Sequence, residues 1–169
     1  MNIELKKLSA GDGIDIYEML QEIPKDDNGF TNRVNGMNYD AYKQRLIWNE
    51  NFSKTTEVED GWKVPSTTYW LFVDDKPVGT GRIRHFLTDM LREEGGHIGY
   101  AIRPDERNKG YGTILLKKLL AEAKQMNIDK VLITMRNDNV YSLKVALANN
   151  GVIERKNEFR YFVWIECKI

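Results

Sequence analysis

The sequence has very little cysteine and histidine and no excess of either charge. Its 169 residues include one cysteine, Cys167, and two histidines, so an internal disulfide or a multi-cysteine metal site is excluded. Lys+Arg and Asp+Glu both number 25, which leaves no overall basic field to attract nucleic acid or an anionic membrane. Recognition of an anion must therefore be local.

Long hydrophobic runs are also missing. No apolar run approaches the roughly 20 residues that a membrane-spanning helix needs, and the N-terminus MNIELKKLSAGDG lacks the apolar segment of a signal peptide. We therefore expect a cytoplasmic protein without a membrane partner. The length and the 41% hydrophobic content predict one domain over residues 1–169 with a sizeable core.

Strand-like and helix-like segments alternate along the chain. The predicted strands are IELKKL, STTYWLFV, PVGTGRIRHF, GGHIGYAIR, KVLITMR and two at the C-terminal end, and the predicted helices are SAGDGIDIYEMLQEI, a segment from Tyr39, GYGTILLKKLLAEAK and NVYSLKVALANN. Ser9 is a candidate cap for the first helix, and Gly151 is expected to close the last. This order predicts an α/β (α+β) fold with a central twisted mixed sheet and helices on both faces.

The stretch IRPDERNKGYGTILLKKLL places two glycines and several basic residues directly before an amphipathic helix. Gly110 and Gly112 allow unusual backbone angles and put no side chain between the backbone and a ligand. The amino end of a helix attracts anions through its free amides and its dipole. The loop is therefore a candidate phosphate cradle, with Arg107 and Lys109 as additional charge; glycines that only turn the chain are the alternative.

The spacing of this loop separates it from two common phosphate motifs. A Walker loop, GxxxxGK[ST], is absent, and a Rossmann fingerprint would need a small residue where Leu115 stands. The order Arg107-Asn108-Lys109-Gly110-Tyr111-Gly112 fits the pattern Arg/Gln-x-x-Gly-x-Gly. In this motif and in its order of elements, the chain resembles the GNAT superfamily of N-acetyltransferases.

The resemblance implies an enzyme that moves an acetyl group from acetyl-CoA, its co-substrate, directly to a primary amine, without a metal. We expect a monomer or homodimer that acts on a small-molecule amine, and the balanced charge without a basic stripe argues against a nucleic-acid partner. A non-catalytic acyl-CoA-binding module is the alternative.

The same resemblance assigns positions along the cofactor. The backbone of Ala101 and Ile102 would follow the pantetheine arm, and Asn139 and Ser142 would lie beside the cofactor. Asn139 could instead only cap its helix, and Lys144 could reach a CoA phosphate or remain in solvent. The amides that would hold the pyrophosphate belong to Arg107, Asn108, Lys109, Gly110, Tyr111 and Gly112.

The sequence does not single out one residue as the general base. Relatives often place a glutamate on the strand before the loop, where this sequence has Gly96. His97 is the neighbouring candidate because histidine titrates near neutrality and would share a face with the small residues Gly99 and Ala101. A structural histidine is the alternative. His85 is a further candidate, and Glu93 or Glu94 could act through water.

The general acid is equally open. Many relatives have a tyrosine midway along the last helix, where this sequence has Ala146 or Leu147. Tyr141, one turn earlier, is the candidate, and Tyr100 is a second one. Either could simply pack into the core, and a thiolate can also depart without an acid because a thiol pKa is only about 8.5.

The acceptor site is expected between the first two helices and the strand hairpin. Arg82 and Arg84 could select a carboxylate there, or they could pair with Glu93 and Glu94 and select nothing. Strand residues such as Tyr69 and Trp70 could instead alternate between core and surface. The candidate lining residues are Phe30, Tyr69, Trp70, Arg82 and Arg84.

Overall fold

The computed structural model describes residues 1–168. The elements in chain order are β1 (Ile3–Lys7), α1 (Ile14–Glu22), β2 (Asp26–Asp27), β3 (Phe30–Thr31), α2 (Tyr39–Phe52), β4 (Ser66–Val73), β5 (Lys76–Arg84), α3 (Asp89–Glu93), β6 (Ile98–Ile102), α4 (Tyr111–Gln125), β7 (Lys130–Arg136), α5 (Val140–Ala148), β8 (Val152–Lys156) and β9 (Arg160–Glu166). A short 3-10 turn, Pro104–Glu106, precedes α4. The predicted α/β order of strands and helices is confirmed.

The central sheet is divided into two parts. One part has the strand order β1-β4-β5-β6 and the other β7-β9-β8, and every pairing within them is antiparallel. The two parts meet where the amide of His97 donates to the carbonyl of Leu132 over 2.8 Å. Beyond this junction β6 and β7 form no ladder within residues 1–168, so a cleft opens between them.

Helices cover both faces of the sheet, as predicted. Along β4, Tyr69 and Leu71 pack with the core that α4 completes, whereas Trp70 and Phe72 pack with α1 and α2. This follows from the alternation of side chains along a strand. The apolar face of α4 is fully buried at the leucines, and burial of each contributes roughly 1.5–3 kcal/mol. A deep core therefore fixes the helix whose first turn borders the cleft.

Several local features differ from the sequence predictions. Ser9 does not cap α1, because the helix begins after Gly13, which makes no side-chain cap bond. The left-handed residue that ends α5 is Asn150, with φ of 65°, while Gly151 is needed because a Cβ there would approach the Ala146 carbonyl oxygen at 2.7 Å. The short helix α3, capped by Thr88, and the hairpin β2–β3 were not predicted.

Candidate functional site

The main cleft has a volume of about 700 Å³ and runs between β6 and β7. Its floor is formed by β6, and one end reaches the loop before α4. The hairpin β2–β3 and the arginines of β5 border the other side. The lining residues used below are Asp27, Phe30, Arg82, Arg84, Glu94, Gly99, Tyr100, Ala101, Ile102, Arg107, Asn108, Asn139, Tyr141 and Ser142.

The loop before α4 presents unpaired amides to solvent beside the cleft. Asn108 and Gly110 both have positive φ, 62° and 82°, a conformation that asparagine tolerates and glycine adopts freely. Among residues 1–168, no protein acceptor takes the amides of residues 108–113. A Cβ on Gly110 would meet nothing within 4 Å. The backbone therefore forms an open concavity suited to an anion.

The basic side chains of this loop are engaged in internal contacts. The Arg107 guanidinium contacts Asp27 on β2 at 2.8 Å and donates from Nε to the Ile102 carbonyl at 2.9 Å. Lys109 pairs with Glu106 at 2.8 Å in an exposed position. Arg107 thus ties the loop to β6 and to the hairpin. The amides, rather than these charges, are available for a ligand.

Gly112 does not adopt the unusual backbone angle predicted for it. It lies inside the first turn of α4 without a positive φ, and a Cβ there would overlap the hydroxyl of Tyr141. Tyr141 comes from the first turn of α5, is 44% exposed and lines the cleft. Gly112 therefore makes room for the Tyr141 ring at the start of α4, and Tyr111 packs against the core.

The predicted pair on α5 also borders the cleft. The Asn139 side chain accepts from the amide of Ser142 at 3.2 Å, so it caps α5 as the alternative interpretation held. The Ser142 hydroxyl lies 3.3 Å from that of Tyr100. Burial raises the pKa of Tyr100, although the hydrogen bond to Ser142 opposes this. Tyr100 is therefore a protonated phenol with its hydroxyl at the cleft. Lys144 is exposed on α5.

The backbone of β6 has one edge directed into the cleft. On the other edge, the backbone amide of Arg84 donates to the His97 carbonyl, and the backbone amide of Arg103 donates to the Val78 carbonyl. Because backbone groups alternate in an antiparallel ladder, the amides of Tyr100 and Ile102 point away from β5 and towards the cleft. The side chain of Ile102 is only 4% exposed, so it is the backbone of Ile102 that the cleft offers, whereas the backbone of Ala101 faces β5.

His97 lies at the strand junction rather than in the cleft. It is 8% exposed, and its Nδ1 accepts from the Leu132 amide at 2.9 Å. Burial lowers its pKa to about 4, with help from Arg92 and Arg84. At neutral pH the ring is therefore uncharged, with its acceptor nitrogen already occupied. This geometry gives His97 a structural role, the alternative named above.

The other candidate bases are also engaged elsewhere. His85 contacts Thr67 at 2.7 Å and lines a separate depression on the protein surface. Glu93 pairs with Arg155 at 3.0 Å, and Glu94 pairs with Arg160 at 2.6 Å. Of these three residues, only Glu94 borders the main cleft.

The acceptor side of the cleft contains three of the five predicted residues. Phe30, Arg82 and Arg84 line it, whereas Tyr69 and Trp70 are each 3% exposed inside the core. The last two are both buried because helices cover both faces of the sheet, which excludes the predicted alternation between core and surface. The Phe30 ring fills the space beside Gly99, because a Cβ on Gly99 would lie 3.3 Å from that ring.

Within residues 1–168, no helix is long and apolar enough to cross a membrane. The same residues contain no group of three or more histidine, cysteine, aspartate or glutamate side chains arranged to hold a metal ion.

Comparison with known proteins identifies the family to which the chain belongs. The model of the acetyltransferase (GNAT) family matches residues 36–151, which include β6, the loop before α4 and α5. The chain belongs to the GNAT acetyltransferase family. The family resemblance predicted from the loop motif is therefore confirmed, and so is the assignment to an acetyltransferase family of enzymes.

Solved structures of other GNAT proteins share the fold at low sequence identity. A ribosomal-protein-S5-alanine acetyltransferase from Vibrio fischeri superposes with a TM-score of 0.73 at 15% identity, covering 99% of this chain and 94% of that one. The Campylobacter jejuni N-acetyltransferase PseH in complex with acetyl-CoA gives 0.63 at 15% identity, covering 99% and 100%.

A third neighbour is RimL, a ribosomal L7/L12 α-N-protein acetyltransferase in complex with CoA. It gives a TM-score of 0.71 at 14% identity, covering 98% of this chain and 94% of that one. No curated protein matches the chain significantly by sequence. These GNAT neighbours thus define the fold and leave the acceptor to be argued from the cleft itself.

Two features of the cleft were not predicted from the sequence. Asn108 adopts a left-handed conformation, which its residue type could have suggested because asparagine is enriched there. Asp27 anchors Arg107 across 80 positions of sequence, and no local pattern signals such a pair.

Proposed function

We propose that this protein transfers the acetyl group of acetyl-CoA to a primary amine of a small molecule. The observation that carries the proposal is the open set of amides at residues 108–113 beside the cleft between β6 and β7. Such amides suit the pyrophosphate of CoA, because they point outward at the positive end of the α4 dipole. The pantetheine arm of the cofactor would then lie along the edge of β6 that faces the cleft.

Backbone groups on β6 provide the electrostatic part of the reaction. The amine attacks the thioester carbon, and negative charge develops on the carbonyl oxygen in the tetrahedral intermediate. An amide directed into the cleft, that of Ile102 or Tyr100, can donate to this oxygen. One preorganised donor of this kind contributes about 3–4 kcal/mol in other acyl-transfer enzymes.

The proton of the amine must leave before or during attack, because an alkylamine has a pKa of about 10.4. The cleft has no free histidine among residues 1–168, and Glu94 is held by Arg160. We therefore assign proton removal to water, with Glu94, which lines the cleft, as the carboxylate that can relay the proton.

The two tyrosines of the cleft receive different roles in this proposal. The Tyr141 hydroxyl lies against Gly112 at the start of α4, which assigns Tyr141 to binding of CoA rather than to the thiolate. The Tyr100 hydroxyl, next to Ser142, is protonated and can donate to the departing sulfur. Its expected contribution is modest, because thiolates are good leaving groups.

Thermal unfolding tests cofactor binding first. Acetyl-CoA and CoA should raise the melting temperature, since they bind the native state, and ATP and NAD should do so much less. Equal stabilisation by all four would contradict a CoA site. Release of CoA thiol across a panel of amines then tests transfer; tight CoA binding without release on any amine would instead support an acyl-CoA-binding module.

A further inference from the structure

Two arginines that line the cleft, Arg82 and Arg84, and two others whose charges act on Arg82 lack a carboxylate partner within residues 1–168. Arg33 follows β3, Arg45 lies on α2, and Arg82 and Arg84 lie on β5. None of the four forms an ion pair within residues 1–168. The two glutamates once expected to neutralise Arg82 and Arg84 are taken by other arginines. The cleft wall formed by Arg82 and Arg84 therefore carries positive charge without a paired carboxylate.

Arg82 is the member of this group that lines the cleft with an unsatisfied donor. Its Nε is buried and has no hydrogen-bond partner among residues 1–168, and its guanidinium carbon lies 5.6 Å from the centre of the Phe30 ring. Burial, together with smaller contributions from the charges of Arg84, Arg33 and Arg45, lowers the pKa of Arg82 to about 9. A buried donor without a partner is unfavourable in the free protein.

The neighbouring arginines Arg84 and Arg45 make contacts with other parts of the protein. Arg82 is therefore the arginine that is available to bind an anion. Arg84 donates to the carbonyls of Gly95 and Gly96 at 3.3 and 3.0 Å. The Arg45 guanidinium lies 4.3 Å from the ring centre of Trp48. The partners in these contacts are carbonyl oxygens and an aromatic ring, which carry no negative charge. The guanidinium groups of Arg84 and Arg45 therefore have polar or aromatic contacts but no counter-ion.

We propose that the acceptor amine carries an oxyanion, a carboxylate or a phosphate, which pairs with the Arg82 guanidinium while its apolar part packs on Phe30. The inference rests on the proposed acetyl transfer and specifies its substrate class. A planar guanidinium binds either oxyanion through two parallel N–H donors. Such a pair satisfies the buried donor and brings counter-charge to the arginine group.

The test uses primary amines in matched triplets that carry a carboxylate, a phosphate or a neutral group at the same position. At saturating acetyl-CoA, CoA-thiol release should give anionic members a kcat/KM about 10- to 100-fold above their neutral counterparts, the range expected for a hydrogen bond to a charged group. Comparison of the carboxylate and phosphate members identifies the oxyanion. Preference for the neutral members would overturn the proposal.

Variants connect this preference to Arg82. Arg82→Gln should lower kcat/KM for anionic amines by about 10- to 100-fold and change it little for neutral amines, and Arg82→Lys should restore part of the loss because it keeps charge without the fork. Arg155→Gln, outside the cleft, is the matched control and should behave as the wild type. An equal loss on neutral and anionic amines in Arg82→Gln would overturn the assignment.

A binding measurement keeps this inference separate from acetyl transfer. Calorimetric titration of the same amines into the CoA-loaded protein should show anionic members binding to the wild type and much more weakly to Arg82→Gln. An unchanged CoA-induced rise in melting temperature confirms that the variant is folded. If no amine releases CoA thiol, the proposed function fails, but the titration still tests the oxyanion site. Equal binding of anionic amines to the wild type and to Arg82→Gln, or no binding to either, would overturn that site.

Discussion

The two sides of the cleft present positive charge in opposite ways. At the loop before α4, the cationic side chains are paired, Arg107 with Asp27 and Lys109 with Glu106, and the backbone amides are open. On the hairpin side the guanidinium groups lack carboxylate partners, as Arg82 illustrates. An amide cradle is fixed by the course of the backbone, whereas a guanidinium site depends on side chains. We infer that the first side suits a constant ligand and the second a particular acceptor.

The largest expected effect would come from closing the amide cradle. Gly112→Val should raise the dissociation constant for CoA by up to about 100-fold, because the new side chain would displace the Tyr141 ring into the space for the cofactor; crowding of this kind costs about 1–3 kcal/mol. Isothermal titration calorimetry measures it.

A double variant separates the clash from other effects of the substitution. Gly112→Ala should weaken CoA binding in the wild-type background and much less in Tyr141→Ala, where the overlapping hydroxyl is absent. Unchanged CoA affinity in folded Gly112→Val would show that the amide cradle lies elsewhere. The loop before α4 could then no longer be contrasted with the arginine side of the cleft as the cofactor site.

The junction that joins the two parts of the sheet should be sensitive to pH. Burial lowers the pKa of His97 to about 4, below the usual 6.5, so the unfolded chain binds a proton more readily. The stabilising contribution is complete above pH 6.5 and is lost as the pH falls towards 4. Urea unfolding should show roughly 2–3 kcal/mol less stability at pH 4 than at pH 7 from this group.

His97→Asn, which keeps an acceptor for the Leu132 amide, should remove this part of the pH dependence and retain most of the turnover. Acetyl transfer by this variant should follow the pKa of the acceptor. A loss of about 10²–10⁴-fold in rate, together with disappearance of a neutral-pH limb, would instead restore His97 as the general base.

Smaller effects are expected from the paired cations of the loop. Arg107→Ala should weaken CoA binding by less than about 10-fold, and Asp27→Asn should have a similar effect, because each breaks the same half-buried contact between loop and hairpin. Lys109→Ala should change affinity about 2-fold or less, since an exposed ion pair contributes little. A larger loss in Lys109→Ala than in Arg107→Ala would mean that side-chain charge, not the amides, holds the cofactor.

The sequence by itself determined the elements whose signals are local. The apolar spacing of α4, the two strand-like runs of β4 and β5 separated by a turn, and the glycine-containing loop between β6 and α4 all predicted structures that are present. These features depend on side-chain period and backbone freedom, which neighbouring residues specify.

Only the tertiary structure decided which polar residues are free to act. His97 and Gly112 had plausible local roles, yet Leu132, 35 positions away, occupies the histidine, and Tyr141 explains the glycine. Arg82 could be judged only once Glu93 and Glu94 were seen to pair with Arg155 and Arg160. Pairing between residues far apart in sequence depends on how the sheet and helices pack, and it determines which charges and donors remain for a ligand.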